Sequence, residues 1–134
     1  MEHEDLTRRI IGCAMTVHRT LGPGFLESVY QRALCHELQK ASLPFECEKS
    51  VIVRYDGVDV GVFSADLLVG GVILIENKAL RALAPAHEVQ LVNYLTATGI
   101  DIGLLLNFGA ERLGYKRKYR TFQPKGSDDV PDPE

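Results

Sequence analysis

Long apolar runs are missing from this chain of 134 residues. None approaches the roughly 20 residues needed to span a bilayer, so no membrane partner is expected. The start, Met1-Glu2-His3-Glu4-Asp5, is acidic, which is wrong for a secretory signal. Cysteine is scarce. Cys13, Cys35 and Cys47 are odd in number, with no CxxC and no Cys/His ligand spacing. That pattern argues against a disulfide framework, zinc or iron–sulfur, and for reduced thiols in a cytoplasmic protein. Also absent are internal repeats and the P-loop, GxGxxG, GxSxG and HExxH motifs.

What is present is an ordinary globular composition, 46% hydrophobic and 25% charged, long enough for one domain with its own core. The net charge is −3, but it is unevenly distributed. Residues 125–134 hold Asp128, Asp129, Asp132 and Glu134 against Lys125, which leaves 1–124 balanced. We therefore expect a folded domain over 1–124 and an acidic, disordered tail over 125–134. Within the domain, Arg112, Lys116, Arg117, Lys118 and Arg120 crowd together.

Apolar spacing predicts a helix over 4–20 burying Leu6, Ile10, Ile11, Ala14, Met15 and Val17, broken by Gly22-Pro23-Gly24. A second helix over about 26–41 buries Leu26, Val29, Tyr30, Ala33, Leu34 and Leu38. Strands follow over 45–54, 58–69 and 72–78, the third apolar enough to be covered on both sides. A helix over 86–98, with Val89, Val92 and Leu95 inward, precedes strands over 102–108 and 113–122. The order is ααβββαββ, a mixed α/β sandwich.

The chemistry concentrates in two of these strands. Asp66 lies in one, and Glu76-Asn77-Lys78 in the next, across Gly70-Gly71. Charges in apolar strands are costly unless paired or metal-bound. Glu76 and Lys78, two apart, share a face. A two-residue turn would set Asp66 opposite Ile75 and the acids on different faces. A three- or five-residue loop, or a bulge, would set Asp66 opposite Glu76. Opposed carboxylates make sense around a hard cation such as Mg²⁺ or Mn²⁺; the bland alternative is a surface hairpin with a Glu–Lys pair. Glu27, Tyr30 and Gln31 share a helix face, as do His87, Gln90 and Tyr94, although each group alone fits a capping, rim or core role. Lys116, Lys118 and Arg120 form a row that suits phosphate contacts or, equally, the protection of an edge strand.

Together these residues resemble a known family. Leu21-Gly22-Pro23-Gly24-Phe25-Leu26-Glu27-Ser28-Val29-Tyr30 is similar to the motif of the GxxExxY proteins, a branch of the PD-(D/E)XK nuclease superfamily. The resemblance continues through Phe63–Val69, Glu76–Ala79, Gln90–Leu95 and Gly103–Gly109. It implies a restriction-endonuclease-like three-layer sandwich, a central mixed sheet flanked by helices. It implies a nuclease using Mg²⁺ or Mn²⁺, with Asp66, Glu76 and Lys78 catalytic. The metal would be held by Asp66, Glu76 and Glu27, with the Ile75 or Asn77 carbonyl as a further oxygen donor. Gln90, Tyr94 and Tyr30 would contact substrate or support the site. The implied partner is nucleic acid, DNA in preference to RNA, handled by a monomer, a homodimer or a larger complex. A catalytically silent nucleic-acid-binding or protein-interaction module on the same fold is the alternative. Two positions depart from the superfamily pattern: Ala65 stands in place of proline, and Asn77 in place of an apolar residue. The Asn77 amide faces the opposite side of the sheet, where burial requires partners.

Overall fold

The computed structural model describes residues 3–121, so the acidic tail lies outside the described residues. The elements are α1 (Glu4–Leu21), α2 (Glu27–Lys40), β1 (Phe45–Tyr55), β2 (Val58–Val69), β3 (Ile73–Lys78), α3 (Pro85–Thr98), β4 (Ile102–Asn107) and β5 (Gly114–Tyr119). The order and type of every element agree with the pattern read from the sequence.

The five strands form one sheet in chain order, β1 to β5. The pairings are antiparallel except β3 with β4, which run parallel. Parallel neighbours require a crossover, and α3 supplies it. Alternation splits the apolar side chains of the sheet between two cores. Leu67, Val69, Ile73, Ile75, Leu104 and Leu106 pack under α1 and α2, while Leu68, Leu74 and Leu105 pack under Leu91 and Leu95 of α3. This is the expected three-layer α/β sandwich with a central mixed sheet. Residues 73–77 of β3 and all of β4 are buried, as strands covered on both faces must be.

Several helix faces differ from expectation. Leu26 is 76% exposed and Val29 and Met15 are also on the surface. Leu26 precedes α2 in extended conformation, so it takes no part in that helix's inward stripe. Val89 is 60% exposed, and α3 buries Leu91 and Leu95 instead. The reason lies on β4. A side chain at Gly103 would sit about 3.0 Å from Leu91 Cγ and Cδ1, so this glycine opens the seat that Leu91 fills and sets the rotation of the helix.

Candidate active site at the β2–β3 junction

The connection between β2 and β3 is three residues long. Val69 pairs with Ile73, Leu68 with Leu74 and Leu67 with Ile75, leaving Gly70, Gly71 and Val72 as the turn. Gly70 and Gly71 have φ of 61° and 72° in succession, a left-handed path that side-chain-bearing residues resist. The paired positions end at Leu67 and Ile75, with Asp66 and Glu76 next in line beyond them. This is the odd offset that a metal site needs.

Regular pairing stops at Leu67, and the two acids take over the hydrogen bonding. The Asp66 amide donates to Glu76 Oε1 at 3.2 Å, and the Asn77 amide donates to Asp66 Oδ2 at 2.7 Å. Each carboxylate is thus fixed through one oxygen by backbone of the opposite strand. Asp66 Oδ1 and Glu76 Oε2 accept no hydrogen bond among the described residues. Regular alternation of β2 also breaks here, since Ala65 packs in the α3-side core and Leu67, two residues on, in the other.

The charges feel one another. Burial pushes Glu76, only 7% exposed, up to about 7, and the Asp66 charge adds to the rise; the Asp66 amide and Lys78 oppose it. Burial likewise raises Asp66, against the Asn77 amide and Lys78 and with help from Glu48. Glu27, the first residue of α2, is raised by burial and by Asp66 and lowered by Lys78. Tyr94 is raised by burial, then by Glu76 and Asp66. Three acids therefore share one lysine in partly dehydrated surroundings.

The supporting residues divide into two groups. Tyr30 is fully buried, stacks on Phe108 at 4.9 Å, donates its hydroxyl proton to the Gly22 carbonyl and accepts from the Phe25 amide. It anchors the Gly22–Phe25 turn and so presents Glu27. Tyr94 stacks on Phe63 with ring centroids 3.7 Å apart. Gln90 is exposed one turn earlier on α3. His87 is committed elsewhere, its Nδ1 accepting from the Ala84 amide at 2.9 Å. The basic row of β5 lies at the sheet edge, separated from β3 by β4. Lys118 pairs with Glu88 at 2.7 Å and Arg120 with Asp101 at 2.6 Å.

Sequence reasoning overlooked several neighbours. A cleft of about 470 Å³ is lined by Glu27, Ser28, Gln31, Arg32, Glu48, Ser64 and Asp66. Gln31 donates to the Asp66 carbonyl at 3.4 Å. Glu48 stands across β1 from Asp66 because a bulge at Val53/Arg54 shifts the β1–β2 register by one residue. No residue type in the hairpin announces that bulge, although Asp56-Gly57 announces the turn. Asn107, inside a segment singled out for its resemblance, ties the exit of β3 in place. Its Oδ1 accepts from the Leu80 and Gly109 amides, and its Nδ2 donates to the Leu80 carbonyl.

The donor set fits a hard divalent cation: two opposed carboxylates, each with an oxygen to spare, in a site short of positive charge. Among the described residues no three His, Cys, Asp or Glu side chains gather into a ready-made metal group. The expected ligands Asp66, Glu76 and Glu27 are therefore not gathered into one three-ligand group; Asp66 and Glu76 meet through their backbone contacts, and Glu27 stands on α2 at the cleft.

Comparison with known proteins agrees with this fold. The crystal structure of SSO0001 superposes with a TM-score of 0.54 at 20% identity, over 72% of this chain and 50% of that one. That likeness concerns the fold, and the chain spans half the length of that protein. No curated protein matches the chain. The sequence profile of the PD-(D/E)XK nuclease superfamily matches residues 4–118, nearly all of the described residues. The chain belongs to the PD-(D/E)XK nuclease superfamily.

Proposed function

We propose that this protein is a Mg²⁺- or Mn²⁺-dependent nuclease of the GxxExxY branch, hydrolysing phosphodiester bonds of nucleic acid, DNA in preference to RNA. The observation that carries the reading is the three-residue β2–β3 connection, beyond which the Asp66 amide meets the Glu76 carboxylate and the Asn77 amide meets the Asp66 carboxylate, with Lys78 acting on both acids. Membership of the branch is supported by Gly24, Glu27 and Tyr30 at the spacing of its motif, with Tyr30 bracing the turn before Glu27.

Asp66 and Glu76 would hold the cation through the oxygens that the backbone leaves free, and Glu27 would close the site from α2. When bound, the cation would polarise the phosphate and lower the pKa of an attacking water. The Asn77 and Asp66 amides hold both carboxylates in place before any ligand arrives, so their ordering cost falls on folding. Lys78, half-buried beside Glu76, would orient the attacking water and offset charge on the phosphate. Tyr94 and Gln90 would flank the substrate on the α3 side. Lys118 and Arg120 would have to give up Glu88 and Asp101 to meet a phosphate, which argues for a structural role. Unpaired thiols fit a reducing, cytoplasmic setting. Among the described residues no helix is long and apolar enough to cross a membrane.

Cleavage of plasmid and oligonucleotide substrates with Mg²⁺ or Mn²⁺ tests the reading on wild type, Asp66→Ala and Lys78→Ala. Activity in wild type alone is expected; equal activity in all three would sink the assignment.

A further inference from the structure

Two thiols lie against each other beside the cleft. Cys35 Sγ on α2 and Cys47 Sγ on β1 are 3.3 Å apart and unbonded. Neither lines the cleft, but each lies on an element that does, α2 for Cys35 and β1 for Cys47. Cys35 is one helical turn beyond Gln31, which reaches the Asp66 carbonyl. Cys47 pairs with Leu67 and immediately precedes Glu48. Cys47 is exposed and Cys35 half-buried, so the pair offers one open and one sheltered sulfur.

We propose that Cys35 and Cys47 are a reversible disulfide-forming pair, a modification site that staples α2 to β1 at the edge of the cleft. The oxidant is a low-molecular-weight disulfide such as glutathione disulfide. The Cys47 thiolate attacks one of its sulfurs and expels the first small thiolate, which takes up the proton Cys47 lost. The Cys35 sulfur then attacks Cys47 Sγ and expels the second small thiolate, which takes up the Cys35 proton. Two protein thiols are oxidised to one disulfide, and the small disulfide is reduced to two thiols.

The order of events follows from the environments. Burial, together with the hydrogen bond and charge of Cys47, pushes the Cys35 thiol up to about 12, so Cys35 does not start the exchange. Once Cys47 carries the small thiol, its own contributions to that rise disappear, while burial still holds the Cys35 thiol up, so the second exchange is the slower step and is set by the 3.3 Å approach of the two sulfurs. Closing from 3.3 Å to a bond of about 2.0 Å asks for little movement of either element. The staple therefore holds Gln31 and Glu48 where they already stand. Cys13, on α1, has no such neighbour among the described residues and is raised chiefly by burial, which marks it as a bystander.

The test uses the full chain and reads chemistry rather than activity, so its outcome is independent of the nuclease reading. After exposure to glutathione disulfide at pH 8, two of the three thiols should disappear from a free-thiol count. The intact mass should fall by two hydrogens with no glutathione attached, and dithiothreitol should restore both. Cys35→Ser should stop at a stable glutathione adduct on Cys47, and Cys47→Ser should leave Cys35 unmodified. The oxidised protein should melt higher by on the order of 5–10 °C, as expected for closing a short loop. An unchanged thiol count, modification centred on Cys13, or an adduct on wild-type Cys47 that never resolves would each overturn the proposal.

Discussion

The β2–β3 junction and the β5 edge both set charged side chains into the same sheet, with opposite outcomes. At the β5 edge two cations find acids from neighbouring segments, Lys118 on the strand with Glu88 and Arg120 just beyond it with Asp101. At the junction, on top of burial, Asp66 raises Glu76 and Glu27, Glu27 raises Glu76 and Glu48 raises Asp66, and Lys78 is the cation that opposes the rise of Asp66, Glu76 and Glu27. A strand can carry charge for structural reasons when each charge is balanced locally. An imbalance held in place by backbone amides is destabilising for the empty protein, and a divalent cation with a phosphate would relieve it.

The sharpest test of this contrast swaps activity between the regions. Lys78→Ala should lower cleavage by on the order of 10²–10⁴, the usual scale for losing a group that handles the attacking water. Lys118→Ala should change it less than about twofold, because a partly exposed pair contributes only about 0–1 kcal/mol to the fold. Comparable losses in both variants would erase the distinction.

Next in size is the pH dependence of stability without metal, followed by urea denaturation. Glu76 rises from 4.5 to about 7 on folding, so the folded state keeps its proton longer than the unfolded chain does. Its contribution is fully present below about 4.5 and is lost as pH climbs to about 7. The loss is on the order of 3 kcal/mol at about 1.4 kcal/mol per unit. Asp66 and Glu27, also raised, act in the same direction. Glu76→Gln should flatten most of this slope and stabilise the metal-free protein at pH 8 while removing activity. A slope unchanged in that variant would remove Glu76 as its source.

Packing behind the site gives an effect of similar or smaller size. A side chain at Gly109 would run into the Leu80 amide nitrogen and the Ala79 carbonyl carbon, both backbone atoms that cannot swing away. Gly109→Ala should cost about 1–3 kcal/mol and loosen the exit of β3 just beyond Lys78. Thermal melts that match wild type would show that this close approach is not required.

The smallest expected effect has the opposite sign. Asn77 is fully buried, and neither its Nδ2 nor its Oδ1 has a partner among the described residues. The need for partners anticipated from its departure from the family pattern is unmet. Asn77→Leu should therefore stabilise the protein by about 1 kcal/mol, with cleavage retained, since the Asn77 backbone amide rather than its side chain holds Asp66. Destabilisation would show that the amide serves a role its surroundings do not reveal.

Much of this was legible in the sequence. The glycines and prolines at 22–24, 44, 57, 70–71 and 99 punctuate apolar runs of clear period, so the order of elements followed. Register was not legible at Gly70-Gly71, because the same dipeptide suits a two-residue and a three-residue connection. Only the paired left-handed backbone at both glycines and the pairing of Val69 with Ile73 decide between them. Glu48 was hidden by a bulge that no residue type marks. The rotation of α3 depended on the cavity above Gly103, a feature of β4 rather than of the helix. The partners of Lys118 and Arg120 lie on other elements, beyond the reach of local pattern.

The central claim is that Asp66 and Glu76 form one cation site. Calorimetric titration of Mn²⁺ into the metal-free protein at pH 8 tests it most directly, with Asp66→Asn and Glu76→Gln alongside wild type. Saturable binding to wild type that is lost in both variants is the predicted result. Binding that survives in either variant, or its absence from wild type, would contradict the account.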